Sequence, residues 1–253
     1  MIPLRDENPT LNRPITTYII IGMNALVWVF VQGFGSTYGL AESFCSYALI
    51  PGDLLGIVPA NTVIPVAQDM ACSLDGNGHL STLFSSMFMH GGWLHIIGNM
   101  LFLWVFGDNV EDVMGPFRFA LFYLLCGLGA ATAQILTDPS SLIPMVGASG
   151  AIGGVMGAYA ILYPRARVHM LIVLVFYITT ISIPAILVLG YWFLLQLVSG
   201  LGSLGHSGGG VAFWAHIGGF VAGILLVFVF RRPDLLDARR RLSKRRLARH
   251  SWF

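Results

Sequence analysis

Apolar residues gather into six long runs along this chain, at Ile15–Val31, Trp93–Gly107, Phe117–Leu136, Met145–Tyr163, Val168–Val198 and Val211–Phe230. A helix needs about 20 mostly apolar residues to cross a hydrocarbon core about 30 Å thick. The pattern therefore predicts six transmembrane spans. The second run is short and extends toward Phe84 if its apolar approach is included. The fifth is long for one crossing and contains Pro184, which predicts a kink, a steep tilt or an interfacial lead-in. Between the first two spans, residues 32–92 carry Pro51, Pro59 and Pro65 yet stay studded with Leu, Ile, Val and Phe. Such a loop is expected to pack on the membrane surface rather than remain disordered. The other connections are short, so the expected architecture is all-α: one bundle over residues 15–230, flanked by a segment 1–14 and a tail 231–253. No internal repeat is visible, which argues against the inverted symmetry of many secondary transporters.

Composition agrees with the spans and excludes a soluble globular domain. Only 10% of residues are charged and 56% are hydrophobic, against about 25% charged in soluble proteins. Charge sets the orientation. Arg5 and Arg13 precede span one, Arg118 lies between spans two and three, Arg165 and Arg167 lie between four and five, and the other nine of the 14 Lys and Arg residues follow span six. Alternate connections carry none, so both termini are predicted on the cytoplasmic side, in a plasma (inner) membrane. The N-terminus lacks the apolar core and cleavage site of a secretory signal, leaving span one to direct insertion. The tail from Arg231 is expected to lie against anionic lipid, at about 1 kcal/mol per basic residue. It lacks interleaved aromatics for base stacking, so nucleic acid is not an expected partner. Cys126 falls in span three. Cys45 and Cys72 fall in the outer loop, where an oxidising compartment permits a disulfide without requiring one.

Polar groups inside spans are costly, which makes the few present here informative. His95 and Asn99 stand near the start of span two, Ser149 near the start of span four, and His216 near the start of span six. The predicted topology puts all four at similar depth below the outer surface. Span four holds Gly150-x-x-x-Gly154 and Gly153-x-x-x-Gly157, and span six holds Gly219-x-x-x-Gly223, the small-residue spacing that lets membrane helices approach closely. Ser149 and His216 extend these faces, so a Ser149–His216 contact is expected. A serine hydroxyl needs a base within hydrogen-bond reach to become a nucleophile, and His216 is the candidate. No Asp or Glu occurs in spans four to six, so the arrangement is a dyad rather than a triad. Ser149 near a helix N-terminus, with Gly147 before it and His95 and Asn99 on one face of span two, offers donors for a developing oxyanion. Taken singly, the serine reads as a packing residue and the histidine as a pore or proton-relay group as readily as a catalyst; the combination favours catalysis. A metal site from His90, His95 and His216 would lack a His-Glu-x-x-His helix and a membrane carboxylate, so no metal is expected.

At these residues the chain resembles the rhomboid family of intramembrane serine proteases. The resemblance covers roughly Ile15 to Phe230 and rests on His90-Gly-Gly-Trp-Leu-His95-Ile-Ile-Gly-Asn99, on Gly107 followed by Glu111, on Gly147-Ala-Ser149-Gly150, and on Ala215-His216-x-x-Gly219-x-x-x-Gly223. It implies a six-helix bundle, Ser149 as nucleophile, His216 as general base, and an oxyanion hole from the Ser149 N–H with His95 and Asn99. It also implies cleavage of membrane-anchored proteins near the outer face without a cofactor, and a structural role for Glu111 at the inner end of span two. Two positions depart from the pattern. Ser81-Thr82 stands where many members have Trp-Arg, and Gly153 stands where many carry an aromatic residue beneath the histidine. The competing readings are a noncatalytic rhomboid-like protein that binds transmembrane helices and, less compatible with the missing carboxylates, a transporter.

Overall fold

The computed structural model describes residues 2–67, 69–174, 177–204, 211–239 and 241. In chain order its elements are β1 (Ile2–Asp6), α1 (Ile15–Phe30), α2 (Thr37–Tyr47), α3 (Pro51–Leu54), β2 (Val63–Ala67), β3 (Met70–Ser73), α4 (Thr82–Ser85), α5 (Trp93–Met114), α6 (Pro116–Thr137), α7 (Ser149–Leu162), β4 (Arg167–Leu174), β5 (Tyr177–Pro184), α8 (Ala185–Ser203) and α9 (Phe213–Phe230). Helices α6, α8 and α9 are each long and apolar enough to cross a membrane; α1 and α7 are shorter apolar helices.

Helices α6, α7 and α9 form the tight centre of the bundle, because their facing residues are small. A Cβ on Gly219 would overlap the Gly150 carbonyl, and one on Gly223 would overlap the backbone of Gly154. Gly129 on α6 faces Ala222 of α9, where an added Cβ would stand 2.9 Å from the alanine methyl. With no side chain between them, backbones approach until van der Waals contact is continuous, which supplies association energy where lipid removes the hydrophobic drive. Larger side chains fill the half of the bundle away from Ser149: Leu103, Phe106, Val110, Phe119, Phe122, Val155 and Tyr159 are fully buried.

The expectation of an all-α chain needs correction. Residues 167–174 and 177–184, most of which were read above as the first half of a long fifth span, form the paired strands β4 and β5, and β1 joins the free edge of β4 to make an antiparallel sheet of order β1-β4-β5. The run is rich in β-branched Val, Ile and Thr, which fit a pleated surface. A hydropathy window cannot separate such a strand from a buried helix. Pro184 is not a kink but the N-cap of α8, where its missing N–H leaves no hydrogen bond unmade. In the fifth apolar run the helix, α8, therefore begins at Ala185, and in the second run the helix, α5, extends beyond Gly107 to Met114.

A polar network ties the N-terminal segment and Arg239 to the end of the bundle opposite Ser149. Glu111 accepts hydrogen bonds from the Thr16 and Thr17 backbone N–H groups at 2.9 and 2.8 Å and from the Thr17 hydroxyl at 2.8 Å, capping α1. A carboxylate there satisfies donors that a helix start leaves open. Asp112 accepts from the Leu11 and Asn12 N–H groups, both at 2.9 Å. Arg239 was expected to face lipid with the rest of the tail; it is instead 3% exposed and pairs with Asp112 at 3.3 Å. Its guanidinium also lies over the Tyr163 ring. Residues 240 and 242–253 of that tail lie outside the described residues.

Asp6 accepts from the Tyr159 hydroxyl and, at 3.0 Å, from Asn109 Nδ2. Burial raises its carboxyl above the ordinary 3.8, and the hydrogen bonds from Tyr159 and the Asn8 backbone, with the nearby charge of Arg239, only partly offset that. The fold thus holds the protonated form more tightly than the unfolded chain does. The resulting stability is complete below about pH 3.8 and is lost as pH rises through the elevated folded value. Asp6→Asn is expected to gain unfolding temperature relative to wild type as pH rises toward neutrality. Thermal unfolding of both proteins in detergent across that range checks this, and parallel curves would refute it.

The long connection between α1 and α5 carries elements of its own. Strands β2 and β3 pair antiparallel, and a Cys45–Cys72 disulfide joins α2 to β3 with a Cα separation of 5.4 Å. Ile50, Ile64, Cys72 and Leu74 make a small apolar cluster of their own. The loop pairs with the segment before α7 through the Leu49–Met145 bridge, and its two ends are joined by Gln32, whose side chain clamps the His90 backbone by two hydrogen bonds of 2.8 and 2.9 Å.

Candidate active site

Ser149 is the first residue of α7. The chain reaches it through Gly147, which has φ +125°, a value that favours glycine. The Gly147 N–H donates to the Ser86 carbonyl at 2.9 Å, fixing the approach to the helix. Glycine is also required sterically, since a Cβ there would stand 2.8 Å from the His95 ring. Ala148 and Gly150 are buried on either side while Ser149 remains half-buried.

His216 lies in the first turn of α9, and its Nε2 is 2.8 Å from Ser149 Oγ. The matching glycines account for this proximity. Because Gly219 rests on the Gly150 carbonyl, the residues one turn earlier on α9 are carried up to the head of α7. Gly153 lies beneath the pair, 3.1 Å from the His216 carbonyl when measured from an added Cβ. The imidazole's other nitrogen, Nδ1, is 2.8 Å from Gln196 Oε1 on α8.

His95 approaches from α5. Its Nδ1 accepts the Gly91 N–H at 3.1 Å. In a neutral imidazole this leaves the proton on Nε2 as a donor. That nitrogen lies on the Gly147 side of the ring, 2.8 Å from where a Cβ on Gly147 would stand, with Ser149 Oγ 3.4 Å from the same point. His90 packs edge-on against His95 with ring centroids 5.1 Å apart. Asn99 is buried, and its Nδ2 has no hydrogen-bond partner. A cavity of about 340 Å³ brings together Ser149, His216, His95 and Gly147, with Met87, Ala130 and Ala212 among its apolar walls. Asn99 is not among its lining residues. No three His, Cys, Asp or Glu side chains converge on a metal position among the described residues.

Two residues near the pair escaped sequence reasoning. Gln196 and Trp192 lie one turn apart on α8, and the Trp192 ring is 5.8 Å from that of His216. The available signal was a lone amide in an otherwise apolar helix, since Gln196 is the only Asn or Gln between Ala185 and Ser203. An unpaired amide is costly there, so it implies a partner. Neither its distance from His216 in sequence nor the strand content before it identified that partner.

Apolar helices around a shared serine–histidine cavity define a multi-pass helical membrane protein with a site recessed in its bundle. A family model for the Rhomboid domain matches residues 77–233. RHOMBOID-like protein 1 of Arabidopsis thaliana is 32% identical over 199 residues, covering 77% of this chain and 46% of that protein. The Rhomboid protease GluP of Bacillus subtilis (strain 168) is 36% identical over 154 residues, covering 61% of this chain and 27% of GluP. Rhomboid protein 1, mitochondrial, of Saccharomyces cerevisiae is 26% identical over 178 residues, or 68% and 47% of the two chains. This chain belongs to the rhomboid family. The matches span between a quarter and a half of these relatives' own lengths.

Proposed function

We propose that the protein is an intramembrane serine endopeptidase that cleaves membrane-anchored proteins with Ser149 as nucleophile and His216 as general base. The observation that carries this reading is the 2.8 Å separation of Ser149 Oγ and His216 Nε2 at the wall of a cavity. Membership in a family that includes a protease supports it. The hydroxyl proton passes to Nε2 as Oγ attacks the scissile carbonyl carbon. As the C–N bond breaks, His216 returns that proton to the leaving amine. Water, deprotonated by the same imidazole, then hydrolyses the acyl-enzyme and frees Ser149. The oxyanion is held by the Ser149 N–H in the first turn of α7, by His95 Nε2–H, and by Asn99 once its unpaired amide turns toward the developing charge. This chemistry uses no metal or cofactor.

The substrate is a transmembrane segment that unwinds locally, because a helix conceals its carbonyls in hydrogen bonds; small or helix-breaking residues at the cut favour this. Lateral access runs beside α8, which has only Ala185, Leu189 and Gly200 buried and presents Leu187, Tyr191, Leu194 and Val198 outward. Six crossings, made by α1 and α5 to α9, place both termini on the cytoplasmic side of a plasma membrane and the site near the outer face. The basic tail then meets anionic lipid. A fluorophosphonate probe is expected to label the wild type and not Ser149→Ala; equal labelling of both would overturn the nucleophile assignment. Binding of a transmembrane peptide with neither labelling nor cleavage would instead favour a noncatalytic helix-binding protein.

A further inference from the structure

A serine–histidine dyad leaves open what holds the imidazole in a working orientation. A triad would answer with a carboxylate on Nδ1, but α7, α8 and α9 contain no Asp or Glu. Gly153 carries no side chain that could support the ring from below.

We infer that Gln196 is the positioning residue of the His216 base, accepting its Nδ1–H, and that Trp192 supplies the ring's packing support in the space that Gly153 leaves open. The inference rests on the protease reading above and extends it to a third helix. Neutral imidazole carries one N–H. When that proton sits on Nδ1 and points to the Gln196 carbonyl oxygen at 2.8 Å, the Nε2 lone pair faces Ser149 Oγ at 2.8 Å and can take its proton. The opposite tautomer puts a proton between Nε2 and the serine and removes the base. An amide oxygen suits this place: it selects the tautomer as a carboxylate would, without the cost of an ion inside the bundle.

Trp192 acts by shape. Its ring is tilted 38° to the imidazole, and its outer edge lies 3.8 Å from where a Cβ on Gly153 would stand. Phe193, stacked on Phe220 with centroids 4.7 Å apart, and Gly200, packed on Phe213 and Ile217, hold the same face of α8 against α9. The groups that orient the base thus belong to a helix with only three buried residues. Moving α8 outward separates Gln196 from His216, so the base is fully set only when that helix is docked.

The test uses the full chain in lipid nanodiscs with a fluorogenic transmembrane peptide. Gln196→Leu is expected to lower kcat about 10–100-fold with KM and unfolding temperature unchanged, a fraction of the about 10⁴-fold cost of upsetting the charged partner in a triad. Gln196→Glu, which restores an acceptor oxygen, is expected to recover most of that loss. Wild-type kcat in Gln196→Leu, or no recovery in Gln196→Glu, would overturn the assignment. A second readout needs no substrate. In ¹⁵N-histidine spectra, His216, identified by its loss in His216→Ala, is expected as the Nδ1–H tautomer in wild type and as a mixture in Gln196→Leu. An Nε2–H wild type, or identical spectra in the two proteins, would overturn it. Failure of the protease reading is distinct: the wild type would then neither cleave nor take the fluorophosphonate, while the tautomer measurement would still decide what Gln196 does.

Discussion

Ser149→Ala is expected to lower kcat by about 10⁵–10⁶, with the fold intact. The magnitude follows from the chemistry: when a nucleophile and its base act as one unit, removing either removes nearly all of their joint effect. His216→Ala should therefore be about as severe alone, and the double variant little worse than either. What survives comes from oxyanion donors and binding, which do not depend on the hydroxyl. Stability should change little, since Ser149 is half-buried at the helix start and its hydroxyl is engaged with His216 alone among the described contacts. The measurement is single-turnover cleavage of a transmembrane substrate in proteoliposomes, with unfolding temperature recorded in parallel. A Ser149→Ala protein within tenfold of wild type would exclude the proposed mechanism.

Gly219→Ala is expected to cost about 3 kcal/mol or more of stability and most of the activity. Overpacking a core usually costs about 1–3 kcal/mol because side chains can yield. Here the obstacle is the Gly150 carbonyl, part of the α7 backbone, so the helices themselves must separate. Separation carries His216 away from Ser149, and a displacement of about 1 Å at a reacting pair can cost 10²-fold in rate. Gly190→Ala is the control. It lies in α8 with nothing within 4 Å of an added Cβ, and the change should be neutral or gain up to about 1 kcal/mol from helix propensity. Unfolding of the three proteins in mixed micelles compares them directly. Equal stability of Gly219→Ala and wild type would show that α7 and α9 do not rely on backbone contact there.

Much of the bundle was legible because lipid imposes strong rules on composition. Runs of apolar residues located α1, α6, α7 and α9 to within a few residues at their N-terminal ends, as at Ser149 and Phe213. The error at residues 168–174 and 177–184 has a physical cause: strand and helix share the same hydropathy when both faces are apolar, and only β-branched content and Pro184 distinguished them. Arg239 was misplaced for a related reason. A basic run reads as solvated, and nothing in its order marks Arg239 as an arginine that turns inward to Asp112.

The sequence alone determined that this is a membrane protein, and it singled out Ser149, His216 and His95 with the glycines around them, because apolar length and small-residue spacing are local properties. Tertiary structure alone decided that β1 completes a sheet with the paired strands β4 and β5 and that α8 lays Gln196 and Trp192 against the histidine. Those relations join residues far apart in the chain. They depend on how helices pack and on which hydrogen-bond partner a buried amide finds, and neither is written in the order of residues near any one of them.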